Sequence, residues 1–176
     1  MLACFLFGIF YGSKEISKKL SNNHYPILIL FKLQLWLAAT VALLAPLTYL
    51  APNIFGNLIW TLTSLMDGNF AIASILAQFF VASLLILIPT TLLGASFPAA
   101  VKSYINNFDF RARGTGYIYA FNTFGAVVGS LIGGFILLPI FGTRISLIII
   151  AVLFFFSALI LIKFIKKIEN YNNLIK

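Results

Sequence analysis

Four uncharged stretches divide the chain: Lys32 to Asp67, Asp67 to Lys102, Arg113 to Arg144, and Arg144 to Lys163. A helix needs about 20 predominantly apolar residues to cross a bilayer, and each stretch can supply one. A fifth apolar run, Met1 to Ser13, is shorter. As a helix it rises about 20 Å against a hydrocarbon core of about 30 Å. The pattern therefore predicts an all-α, polytopic helical membrane protein with about five membrane segments, the first one short. Residues 1–176 read as a single transmembrane helical domain. The lysines follow the first apolar run, so it lacks the basic region that opens a signal peptide. It reads as the second part of a longer segment, with an upstream first helix expected to be missing.

Breakers and turn residues place the ends of these segments. Lys14 to Tyr25 reads as a loop, and Pro26 opens the next segment, where its missing N–H costs nothing. Pro46 is expected to bend the far end of that helix. Residues 51–70 contain no Lys or Arg and carry Trp60, which predicts an outer loop with a short interfacial helix. Asp67, Gly68 and Asn69 read as a turn. The segment from Ala71 to Ala100 exceeds a straight crossing. Within it Pro89 frees a carbonyl near Leu85, Thr90 and Thr91 can help satisfy the disturbed backbone, and Pro98 breaks the helix again. Pro89 and Pro98 thus mark a kink or a gate. The next helix runs from Thr115 to Ile140, Pro139 and Gly142 form a tight hairpin, and Ser146 to Ile162 returns. Lys163, Lys166 and Lys167 stop that last segment, leaving a frayed tail.

The helix after Arg113 carries the most distinctive pattern. Gly125, Gly129 and Gly133 recur every four residues, and Ala126, Ser130 and Gly134 form a second row beside them. Rows of this kind let two backbones approach closely in lipid, where packing replaces the missing hydrophobic drive. Asn122 is the one strongly polar residue of this helix, and amides at membrane depth bond to a neighbouring helix.

Composition agrees with the pattern. The chain is 61% hydrophobic and 9% charged, with a mean hydropathy of +1.04, whereas soluble domains carry about 25% charged residues. The net charge of +8 does not indicate nucleic acid, because the basic residues sit at the ends of apolar runs. Ten of the twelve Lys and Arg fall at 14–25, at 101–114 or from 163 onward. Cytoplasmic loops collect Lys and Arg, so the N-terminus is expected outside and the C-terminus inside. Lys102, Arg111 and Arg113 form a face for anionic lipid or a protein partner. Lys32 lies near the same side, where it can snorkel, and Arg144 caps the outer edge.

Catalytic chemistry finds little support. One cysteine and one histidine, Cys4 and His24, exclude an intramolecular disulfide and a multi-histidine metal site. The four acids, Glu15, Asp67, Asp109 and Glu169, are scattered, so no acid–base dyad forms. Asp67 reads as a turn or cap residue and Asp109 as the partner of a nearby arginine. No cofactor is expected.

Three blocks carry a family resemblance: Leu87 to Pro98 (LIPTTLLGASFP), Gly116 to Gly129 (GYIYAFNTFGAVVG) and Gly133 to Gly142 (GGFILLPIFG). Together with the opening FLFGIFYGSKEISKKL, they resemble the membrane domain of the fused major-facilitator/spermidine-synthase-like proteins of bacteria. The resemblance implies a bacterial inner (cytoplasmic) membrane location and polyamine-related function. It also implies a soluble aminopropyltransferase domain, which this sequence lacks. Three readings follow. The chain is a non-catalytic membrane domain or subunit that anchors or serves a partner chain. Otherwise it is a transporter-like half whose helix broken at Pro89 and Pro98, with Asn122, lines a pathway for a small solute, or a structural small subunit of a larger membrane complex. Cationic solutes call for acids within the membrane, and none lies there.

Overall fold

The computed structural model describes residues 1–21, 25–66, 69–105 and 111–174, with backbone alone for 111–112 and 166–174. The described residues are helical almost throughout. Helix α1 spans Leu2–Ser21, α2 Pro26–Leu65, α3 Phe70–Tyr104, α4 Arg111–Ile132 and α5 Leu138–Leu174. A π-helical turn, Gly133–Leu137, joins α4 to α5. Its signature is the Leu138 N–H bonded to the Gly133 carbonyl, one residue further back than in an α-helix. The sequence pattern predicts five separate segments, whereas the described residues form four helical runs, the last of them kinked at Gly142. The fourth unites α4, the π turn and α5.

Three of these runs, Pro26–Leu65, Phe70–Tyr104 and Arg113–Ile165, are long and apolar enough to cross a membrane. What they bury is informative. Of the twelve buried hydrophobic residues among those described, eight are alanines: 38, 45, 73, 77, 95, 99, 151 and 158. Large side chains point outward instead, with Trp36 at 64% exposure, Phe80 at 61% and Leu153 at 61%. Soluble monomers rarely leave contiguous apolar patches above a few hundred Å². Small residues inside and large ones outside is the arrangement expected when the surroundings are lipid.

Helix α3 is central, packing against both α1 and α2, while α5 packs against α2. Cys4 lies beside Ser83, Gly8 beside Thr90 and Leu20 in a cluster with Ala95 and Ala99, so α1 runs parallel to α3. Among the described residues, helix α4 packs mainly against the end of α3 before it passes into the π turn.

Several element boundaries differ from the sequence reading. The expected loop after Ser13 is helical to Ser21, because Leu20 continues the buried face of α1 at 3% exposure. The charged residues of this stretch interact along the helix instead: Lys18 pairs with Glu15 at 3.2 Å, and Lys14 lies 5.7 Å from the Phe10 ring centroid. Of the expected outer loop at 51–70, residues 51–65 are the last part of α2, which continues through Pro46 and Pro52. Likewise α3 continues through Pro89 and Pro98, so neither proline breaks it. The last helix runs on to Leu174 rather than stopping at Lys163. Asn69 caps α3, its side-chain oxygen accepting from the Ile72 N–H at 3.3 Å. His24, Asp67 and Asp109, with their expected roles, lie outside the described residues.

Candidate helix-docking face

Two sets of glycines occupy opposite environments. In α1, Gly8 and Gly12 stand one turn apart and both are buried. A Cβ at Gly8 would meet the Thr90 side chain and lie 3.3 Å from the Thr91 nitrogen. One at Gly12 would meet the Thr91 backbone, 2.7 Å from its carbonyl carbon. Reciprocally, a Cβ at Gly94 would fall 2.6 Å from the Cα of Ile9. Helices α1 and α3 therefore meet backbone to backbone, with glycine on both sides. The Gly8–Gly12 spacing is visible in the sequence, but the longer glycine row on α4 draws attention away from it.

The contact lies at the proline-disturbed turn of α3. Thr90, 4% exposed, donates to the carbonyls of Ile86 at 2.8 Å and Leu87 at 3.1 Å. Thr91 donates to Ile88 at 2.7 Å. The threonines thus bond to the turn before Pro89, as the sequence suggests, but not to the Leu85 carbonyl itself. This region is close-packed, and Pro98 sits further on in the same helix.

The α4 face is the opposite case. A Cβ at Gly125, Gly129, Gly133 or Gly134 would find nothing within 4 Å. Ala126 and Ser130 are exposed, and the Ser130 hydroxyl donates only to its own helix, to Val127 at 2.8 Å. Asn122 is also exposed and makes no side-chain hydrogen bond among the described residues. Residues three and four apart share a helix face. Asn122 therefore lies on one strip with Gly125, Ala126, Gly129 and Gly133. The strip combines close-approach surface with an unbonded amide, and no other described helix covers it. At its foot Tyr119 meets Phe97 of α3 edge-on at 6.4 Å, and Gly114 is buried against Tyr104 and Ile105.

Gly142 forms the far boundary of this face. Its φ of 71° and ψ of 173° interrupt α5, a backbone region open essentially to glycine alone. Beyond the bend the Ser146 hydroxyl bonds to the carbonyls of Gly142 at 2.6 Å and Leu137 at 2.9 Å. In a straight helix nine residues would separate Leu137 from Ser146 by about 13 Å, so the chain folds back here. Among the basic residues, Lys102 is half-buried beside Ser17, Pro98 and Thr115, and Arg113 is exposed. Arg111 belongs to the first turn of α4, with its side chain outside the description.

Other chemistry is sparse. No group of three or more His, Cys, Asp or Glu able to hold a metal occurs among the described residues. Many hydroxyl groups on the helices donate to carbonyls of their own helix, as at Thr40, Thr61, Ser96 and Ser103, a habit that satisfies them without a partner; the buried Thr63 hydroxyl is an exception. No protein-family model, curated protein or solved structure matches the chain.

Proposed function

We propose that this chain is a non-catalytic integral membrane domain or subunit that docks a helix of another polypeptide against α4. The observation that carries the reading is the open strip of Asn122, Gly125, Ala126, Gly129 and Gly133. A bare amide at membrane depth is costly unless a neighbouring helix bonds it. Glycines that face lipid gain nothing from lacking a side chain. Both features make sense together once a second backbone lies against the strip. The resemblance to spermidine-synthase-like membrane domains supports the same assignment, with any aminopropyltransferase chemistry carried by the partner. It also supports a location in a bacterial inner membrane.

In the orientation we propose, Lys14, Lys18, Lys19 and Lys102 face the cytoplasm and Arg144 faces outward, following the lysine and arginine bias. The 53-residue run from Arg113 to Ile165 would measure about 80 Å if straight, far beyond one bilayer core. The bend at Gly142 lets that run cross twice, with the C-terminus inside. Lys102, Arg111 and Arg113 then present a basic face to anionic lipid or to the partner's cytoplasmic part. Purification in mild detergent from native membranes, followed by identification of the co-purifying chains, tests the reading. A stable companion polypeptide supports it. A clean monomer that moves a solute in liposomes refutes it in favour of a transporter-like half.

A further inference from the structure

Arg144 stands two residues past the bend at Gly142, apart in sequence from the lysines. It is placed by residues distant in sequence. Its Nε donates to the Thr48 hydroxyl at 3.1 Å. That hydroxyl has one proton, which it gives to the Ala45 carbonyl at 2.7 Å, so its lone pairs are free to accept from the guanidinium. The guanidinium carbon also lies 3.3 Å from the centroid of the Tyr49 ring. One contact fixes the edge of the group and the other fixes its plane. Arginine has five N–H donors, and the Nη donors have no acceptor among the described residues. The one acid whose side chain is described, Glu15, is held by Lys18 on α1.

This guanidinium lines a groove of about 840 Å³ between α2 and α5. The other walls are largely apolar, including Ala45, Pro46, Phe141, Ile145 and Ile148. Thr48 stands sixteen residues after Lys32, about 24 Å along α2. The groove therefore opens near the far boundary of a bilayer whose near boundary holds Lys32. A fixed cation without a counter-ion among the described residues, at the head of an apolar groove, matches an amphiphile with an anionic head. We propose that Arg144, oriented by Thr48 and Tyr49, binds the phosphate of a phospholipid headgroup, with an acyl chain along the α2–α5 groove. Arginine is suited to this because its planar fork can give a phosphate two parallel hydrogen bonds.

Native mass spectrometry of the detergent-purified chain, delipidated and titrated with defined probes, tests the assignment. The probes are dioleoylphosphatidylglycerol, dioleoylglycerol and inorganic phosphate, and the variants are R144Q, R144K and Y49L. The wild type is expected to hold one phosphatidylglycerol about tenfold more tightly than R144Q, a change of the size carried by a charge-assisted bidentate contact. R144K and Y49L should fall between them. Dioleoylglycerol, with the same chains and no phosphate, should not distinguish wild type from R144Q. Equal phosphatidylglycerol affinity in wild type and R144Q overturns the proposal. So does inorganic phosphate binding as tightly as the phospholipid, which would make the site one for a free anion.

Discussion

Replacing Gly94 with valine tests the contact between α1 and α3. The added Cβ would lie 2.6 Å from the Ile9 Cα and 2.8 Å from its carbonyl carbon. Carbon atoms pack at about 3.5–4.0 Å, so α1 must retreat by about 1 Å. Both opposing atoms are helix backbone and cannot swing aside as a side-chain tip would. A gap of that size forfeits a quarter to a half of each dispersion contact along the seam, including those of Gly8 and Gly12 with Thr90 and Thr91. Overpacking of this kind costs about 1–3 kcal/mol. Gly56→Val serves as the control, because a Cβ there meets nothing within 4 Å. The difference between the two variants removes the common effect of valine on helix propensity. Cys4 provides a built-in reporter: it is half-buried, and its Sγ lies 3.1 Å from the Ser83 hydroxyl across the same seam. Its labelling rate by a maleimide follows the opening of α1. A difference of about 2 kcal/mol predicts labelling about 30-fold faster in Gly94→Val than in Gly56→Val. Equal rates, with unchanged thermal stability in detergent, would refute the close approach.

The remaining expectations concern the other helices. Gly142→Ala should lower stability by about 1–3 kcal/mol, because alanine cannot rest at a φ of 71° without strain; an unchanged melting temperature in detergent would argue against the bend. Gly129→Leu should leave the stability of the isolated chain unchanged, since a Cβ there meets nothing within 4 Å, while abolishing co-purification of the partner; destabilisation of the monomer would place another part of this chain on the face. Asn122→Ala should weaken partner association by about 0.6–2 kcal/mol, the range of interhelical hydrogen bonds in membranes, as read by dissociation on detergent dilution. In a Cys4→Ala background, a cysteine at exposed Asn57 should react with an impermeant thiol reagent from outside, and one at exposed Ser17→Cys or Lys19→Cys only after the inner face is opened. The reverse pattern would invert the proposed orientation.

The helical class and the apolar runs were legible in the sequence because length and hydropathy are local properties. Boundaries were less so. Lys14, Lys18 and Lys19 look like a loop in a linear reading, yet a helix tolerates them when Leu20 still reaches the buried side. Pro46, Pro52, Pro89 and Pro98 look like breaks, yet neighbouring helices and hydroxyls such as Thr90 hold the backbone on course. Glycine spacing shows that a helix face is flat, not what lies against it. The rule that fits Gly125, Gly129 and Gly133 also describes Gly8 and Gly12, and only the structure shows that the shorter pair is filled within the chain. The pairing of Arg144 with Thr48 and Tyr49 joins residues about a hundred positions apart, beyond any local pattern.

The docking face itself can be interrogated by photochemistry in native membranes. A diazirine amino acid at Ala126 would sit between Asn122 and Gly129 on the open strip, and one at Leu153 would sit on an exposed position of α5. On illumination Ala126 is predicted to yield a discrete higher-mass adduct containing a second polypeptide, while Leu153 yields lipid adducts alone. Lipid adducts alone from both positions would contradict the account, because the glycine strip would then face the bilayer.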